Sequence, residues 1–132
     1  MTPNITDIKQ PARAALLANM EGIAAINTLQ SVMGINLDTL RPEPCVEGYS
    51  TPGGYSSKAV KPIALAKCMA VSQLIRDEFA DSGRSLSGIG GVERGGDAAE
   101  FILLGASTVQ VRTVQFYTIT SQPNLFVSTV QV

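Results

Sequence analysis

The sequence predicts an α/β fold built on parallel strands, and three observations carry that expectation. Short apolar runs alternate with amphipathic helical patterns in the order β, α, β, α, β. The run Gly22 to Ile26 is apolar throughout and is ended by Asn27 and Thr28, as in a strand buried on both faces. Glycine-bearing turns close the βα units, and Gly105 stands where the C-cap glycine of a helix belongs. A doubly wound sheet and a barrel both fit this pattern.

Taken in order, Thr6 and Asp7 are placed to cap a helix from about Ile8 to Asn19, where Ile8, Ala12, Ala15, Leu16 and Met20 recur at helical spacing. The strand Gly22 to Ile26 follows. From Gly34 to Ser57 the chain carries Pro42, Pro44, Pro52, Gly48, Gly53 and Gly54, which predicts a long loop without regular elements. Ile63, Leu65, Ala66, Met69, Leu74 and Ile75 line a helix from about Ala59 to Phe79, with Pro62 tolerated in its first turn. Ser85 to Ile89 is the next strand, Asp97 to Leu104 the next helix and Thr108 to Val111 a third strand. After Arg112 no charged residue appears, and Val114, Phe116, Ile119, Phe126 and Val130 are set among Thr, Gln and Ser. Residues 1–112 therefore form the α/β part, and 113–132 a β-prone tail foreign to it.

Composition narrows the function classes. With a formal charge of −1 over 132 residues, the chain lacks the basic footprint of a nucleic-acid or anionic-membrane binder. No apolar stretch is long enough to span a bilayer and no secretory leader is visible, which points to an intracellular protein or one imported after losing a targeting segment. The absence of histidine excludes Ser-His and Cys-His catalysis within the chain and removes the commonest metal ligand. Cys45 and Cys68 are too far apart in sequence for a Cys-x-x-Cys motif, so each is expected as a free thiol, Cys68 in the core.

The residues that point to a ligand lie at strand ends. Ser87-Gly88-Ile89-Gly90-Gly91 closes a strand and opens toward a helix; a phosphate meeting backbone N–H groups needs glycine there, because a β-carbon blocks the approach. The competing reading is a glycine-rich turn that serves packing alone. Pro52-Gly53-Gly54-Tyr55-Ser56-Ser57 also precedes a helix, so two successive loops present backbone donors near helix N-termini, as at the phosphate site of many barrels. Asn27 offers a donor and an acceptor to a planar ring edge carrying C=O and N–H groups, such as a pyrimidine; the plainer alternative is an Asx turn. Arg41, Glu43, Glu47, Lys58 and Lys61 flank these loops and are expected as solvated surface charges.

With these motifs placed, the chain resembles the FMN-binding barrel of the dihydropyrimidine dehydrogenases. The resemblance rests on Thr2-Pro3-Asn4-Ile5-Thr6-Asp7, Ala25-Ile26-Asn27-Thr28, Arg41-Pro42-Glu43-Pro44, the stretch Gly48 to Ser56, Lys61 to Leu65, Ser87 to Glu93 and Asp97 to Gly105. It implies the C-terminal part of a (β/α)8 TIM barrel, of plant and bacterial type, in a family that reduces uracil and thymine to dihydropyrimidines with NAD(P)H through FMN and whose members oligomerise. Dihydroorotate dehydrogenases share the barrel and match less closely. By motif, Asn27 and Thr28 hold the pyrimidine, while Ser57, Ile89, Gly90, Gly91, Arg112 and Thr113 hold the FMN phosphate.

The same resemblance implies that the family's flavin-contacting lysine lies immediately before Met1 and its catalytic cysteine further upstream, so the chain carries neither and no catalytic residue is assigned within it. Its expected partner is the N-terminal half of the barrel. The alternatives are a non-catalytic FMN- or phosphate-binding module and an inactive truncated product. Relatives of the plant type imply the plastid, those of the bacterial type the cytoplasm.

Overall fold

A computed structural model of the chain describes residues 1–111 and the short strand Val127–Ser128. Helix α1 (Lys9–Leu17) has Ile8 at its N-cap and no side-chain cap bond there; of the expected caps, Asp7 stands one residue earlier, its Oδ1 accepting the Lys9 N–H at 2.9 Å in the turn that leads in. Its buried face is Ala12 and Leu16. Strand β1 (Gly22–Ala25) follows, with Ile23 and Ala25 buried but Gly22 and Ala24 exposed. The expected two-sided burial is therefore corrected: one face packs on helices, and on the other Ala24 lines an open cavity.

The stretch Gly34 to Ser57, predicted as an irregular loop, instead carries the short strands β3 (Gly34–Asn36), β4 (Arg41–Glu43), β5 (Cys45–Val46), β6 (Tyr49–Ser50) and β7 (Gly53–Tyr55), which form an arm with the preceding β2 (Leu29–Ser31). β2 pairs with β7, β3 with β4 and β5 with β6, all antiparallel. The prolines do not prevent this because each ladder is only two or three residues long and Pro42, which has no N–H, sits in an isolated two-stranded pair. Glu47 (φ 51°) and Gly48 (φ 83°) make the tight turn between β5 and β6, both in the left-handed region that a two-residue hairpin requires.

A 3-10 turn over Lys58–Val60 leads into α2 (Lys61–Glu78), with Pro62 in its first turn as expected. Then come β8 (Ser85–Ile89), α3 (Gly95–Leu103), β9 (Thr108–Gln110) and β10 (Val127–Ser128). These give one sheet in the order β1-β8-β9-β10, every neighbouring pair parallel, with Ala24 opposite Ser87 and Gly88 opposite Val109. The predicted βαβαβ alternation is thus present, the third helix starting two residues earlier than expected. Gly105 (φ 102°) closes α3 and donates its N–H to the Ile102 carbonyl at 2.9 Å.

One core lies between the sheet and its helices. Ala64, Cys68, Val71 and Leu74 of α2 meet Ile23, Ala25 and Leu86, while Ala98 and Phe101 of α3 extend the same core along the same face of the sheet. Phe101 is fully buried and lies directly over Gly88, where a β-carbon would stand 2.5 Å from Phe101 Cδ1. Gly88 is therefore a packing glycine. The opposite face of the sheet carries Ser87, whose Oγ accepts from Thr108 Oγ1 and Gln110 Nε2, both at 2.9 Å. Among the described residues no helix is long and apolar enough to cross a membrane.

Candidate functional site

The C-terminal ends of β1, β8 and β9 and the residues after β7 surround a cavity of about 760 Å3. Asn27, Thr28, Ser57, Ile89, Gly90 and Gly91, picked out from three separate stretches of sequence, all line it. Parallel α/β sheets place ligands at this end because the strand-to-helix turns present free backbone groups and helix N-termini there. Arg112 and Thr113 lie outside the described residues.

Gly90 and Gly91 have φ of 134° and 71°, a conformation that side chains rarely adopt, and both pack hard on the start of α2. A β-carbon on Gly90 would stand 2.8 Å from Ala64 Cβ, and one on Gly91 would stand 2.8 Å from the Lys61 backbone nitrogen. The turn is thus pressed against the first turn of α2, and both readings of its glycines hold together: they allow the packing, and they leave backbone rather than side chain at the cavity wall.

Ile89 lines the cavity beside Gly90 and Gly91. Cys68 is fully buried and donates to the Ala25 carbonyl at 3.3 Å. Burial pushes its thiol up to about 11, so it stays protonated at neutral pH. Ile89 stands with Gly90 and Gly91 at the cavity wall, the three residues that the motif assigns to the phosphate.

Ser57 sits at φ 83° and ψ −176°, a region populated by glycine. The surrounding structure holds it there, because Tyr55 is fixed in the β2–β7 ladder on one side and the Ser57 carbonyl accepts the Val60 N–H at 3.1 Å on the other. The backbone at this position behaves as the glycine-type loop that the motif implies.

Asn27 leaves β1 with its N–H donated to the Met1 carbonyl at 2.7 Å and its Oδ1 accepting the Thr28 N–H, also at 2.7 Å. This bond is to the next residue rather than to the second one on, so it is not the Asx turn of the plainer reading, but it aligns the carboxamide while Nδ2 makes no hydrogen bond among the described residues. Thr28 packs over Gly54, where a β-carbon would stand 2.5 Å from Thr28 Oγ1. Asn4, which the sequence offers only as part of the Thr2 to Asp7 motif, bridges this segment: Nδ2 donates to the Thr28 carbonyl at 3.3 Å, and Oδ1 accepts the Gln30 N–H at 3.0 Å. No periodicity singles it out. Tyr55 and Ser56 line the cavity as part of the Pro52 to Ser57 loop, and Gln110 lines it with no sequence signal to mark it as a site residue.

Of the charges expected at the surface, Lys58 is exposed and lies 3.6 Å from Glu93. Lys61 departs from that expectation. Its side chain is only 19% exposed and its Nζ meets Asp97 Oδ1 at 2.6 Å and Glu100 at 2.9 Å. The Lys61 hydrogen bond, followed by the Glu93 and Arg94 amides, holds the Asp97 carboxyl down at about 2 against the cost of burial.

Comparison with known proteins agrees with this geometry. The family model described as dihydroorotate dehydrogenase matches residues 1–126. The chain is 71% identical over 113 residues to the chloroplastic dihydropyrimidine dehydrogenase (NADP(+)) of Arabidopsis thaliana, covering 86% of this chain and 26% of that protein. It is 49% identical over 115 residues to a subunit of the NAD-dependent dihydropyrimidine dehydrogenase of Escherichia coli K12, with the same coverages of 86% and 26%. Among solved structures it resembles DHODH of Eimeria tenella in complex with ferulenol, with a TM-score of 0.61 and 26% identity, over 84% of this chain and 27% of that one. The chain thus spans about a quarter of the length of these relatives, has the fold of part of their barrel, and is nearer in sequence to the dihydropyrimidine dehydrogenases than to the DHODH.

Proposed function

This chain belongs to the dihydroorotate dehydrogenase family, and on that premise we propose that it forms the pyrimidine- and FMN-phosphate-binding part of a dihydropyrimidine dehydrogenase. The observation that carries the reading is convergence: Asn27 and Thr28, Ser57, and Ile89 to Gly91 come from three loops and line one cavity. The cavity's size is that of a cofactor site. The wall at Gly90 and Gly91 fits a phosphate in presenting backbone to the cavity, and the glycines themselves are required by packing on Ala64 and Lys61. When bound, FMN supplies the two-electron chemistry that passes reducing equivalents from a nicotinamide cofactor to the ring double bond of uracil or thymine.

The chain's own residues bind and orient. Ile89, Gly90, Gly91 and the Ser57 backbone face the phosphate, with Arg112 and Thr113 carried over to it by motif alone. Asn27 Nδ2 donates to a ring carbonyl of the pyrimidine, steadied by its Oδ1 bond to the Thr28 N–H, and the Thr28 hydroxyl serves the same ring. Proton delivery falls to another part of the barrel: of the two cysteines, Cys68 is buried behind the phosphate turn and Cys45 stands on the hairpin arm, and neither lines the cavity. The N-terminal part of a barrel is accordingly the partner, and the chloroplastic Arabidopsis relative favours the plastid as its setting.

Gel filtration of the purified chain with FMN, followed by its visible spectrum, tests this reading. Retained flavin whose absorbance shifts on adding uracil, without uracil reduction, is the expected result. Free flavin eluting apart from the chain contradicts the binding role, and uracil reduction by the chain alone contradicts the division of labour.

A further inference from the structure

The turn that faces the cavity is tied at both ends to one ion pair outside it. At its start, Gly91 packs on the backbone of Lys61, with room for no β-carbon between them. At its end, Asp97 Oδ2 accepts the N–H groups of Glu93 at 3.0 Å and Arg94 at 2.9 Å. The two ends are joined through Lys61 Nζ and Asp97 Oδ1 at 2.6 Å, with Glu100 on the same ammonium at 2.9 Å. Both members of the pair are largely shielded, with side chains 19% and 13% exposed, so solvent does little to loosen the contact.

We infer that Lys61 and Asp97 are positioning residues for the phosphate turn, the lysine orienting the carboxylate that clamps Glu93 and Arg94 so that the Gly90 and Gly91 backbone stays against the cavity. The inference rests on the phosphate reading of that turn. Neither side chain lines the cavity, so the pair acts through the backbone it holds. A carboxylate suits this role because its two oxygens can serve an ammonium on one side and two amides on the other, and charged partners make such bonds short and directional. The same carboxylate sits in the first turn of α3, where a negative charge is also favoured by the helix N-terminus. Removing the ammonium frees Asp97 to rotate, and the turn then loses its anchor while the cavity keeps its lining.

Comparing FMN with riboflavin, which differs by the phosphate alone, separates positioning from packing. Affinities of the whole chain and of Lys61→Met, Lys61→Arg and Asp97→Asn are measured by flavin fluorescence, together with hydrogen exchange over residues 90–94. Lys61→Met is expected to bind riboflavin as the parent does, FMN about tenfold more weakly, and to exchange the Glu93 and Arg94 amides faster. Lys61→Arg is expected to restore the preference for FMN. A Lys61→Met chain that keeps its preference for FMN, or exchanges those amides at the parent rate, overturns the inference. So does equal loss of both flavins in Lys61→Met and Asp97→Asn, which makes the pair a general packing element. If the unaltered chain fails to prefer FMN over riboflavin, the phosphate reading falls first and the inference with it.

Discussion

A β-carbon on Gly91 would stand 2.8 Å from the backbone nitrogen of Lys61, in a turn residue whose φ of 71° already disfavours a side chain. Backbone cannot yield as a flexible side-chain end does, so Gly91→Ala must displace either the turn or the start of α2. It is expected to cost roughly 1–3 kcal/mol of stability and to weaken FMN more than riboflavin, measured by denaturant unfolding and flavin titration.

Gly88→Ala separates packing from binding in the same motif. Its β-carbon would meet the fully buried Phe101 rather than the cavity. Destabilisation of roughly 1–3 kcal/mol is expected, and Phe101→Leu in the same chain should recover part of it because the clash is shared. A double-mutant cycle measures this; strict additivity would show that Phe101 is not the obstacle.

Ser57 is held at φ 83° without being glycine. Ser57→Gly releases that strain, which outweighs the greater freedom glycine gives the unfolded chain, for a net gain on the order of 0.5–1 kcal/mol. The unfolding midpoint should rise while flavin affinity is kept or improved.

Asp97 sets an acid limit. Its carboxyl, held at about 2 by Lys61 and the Glu93 and Arg94 amides, has an ordinary value of 3.8 when unfolded. Between these values the unfolded chain binds the extra proton, so the stabilisation is fully present above about pH 4 and is lost as pH falls toward 2. Asp97→Asn should flatten stability over that window by on the order of 1 kcal/mol after solvent screening, read from unfolding curves at several pH values.

Asn27→Ala removes the carboxamide that orders the strand exit and, in the proposed role, faces the pyrimidine. Uracil binding is expected to weaken by on the order of tenfold or more, with FMN affinity retained. Calorimetric titration of the FMN-loaded chain with uracil reads this directly.

The parts of the molecule legible in the sequence are those where a local pattern and the tertiary environment agree. The order of the parallel core is legible because β1 is a short apolar run, β8 ends in a glycine turn and helices follow. The buried face of α2 is not legible: it is Ala64, Cys68, Val71 and Leu74, while Ile63, Ala66 and Met69 of the expected stripe are exposed. The arm from β2 to β7 is not, since strands of two or three residues have no periodicity to read and their prolines and glycines mimic a loop. Lys61 and Asp97 are 36 positions apart and meet only when the starts of α2 and α3 lie side by side. Asn4 and Thr28 meet for the same kind of reason, across a fold that local composition does not encode.

Whether the Gly90–Gly91 backbone receives the phosphate of FMN decides the proposed role, and amide NMR of the labelled chain during flavin titration reads those two residues one by one. The Gly90 and Gly91 resonances are expected to move with FMN and to stay in place with riboflavin at matched saturation. Gly90 and Gly91 resonances that ignore FMN, or that move equally with riboflavin, would contradict it.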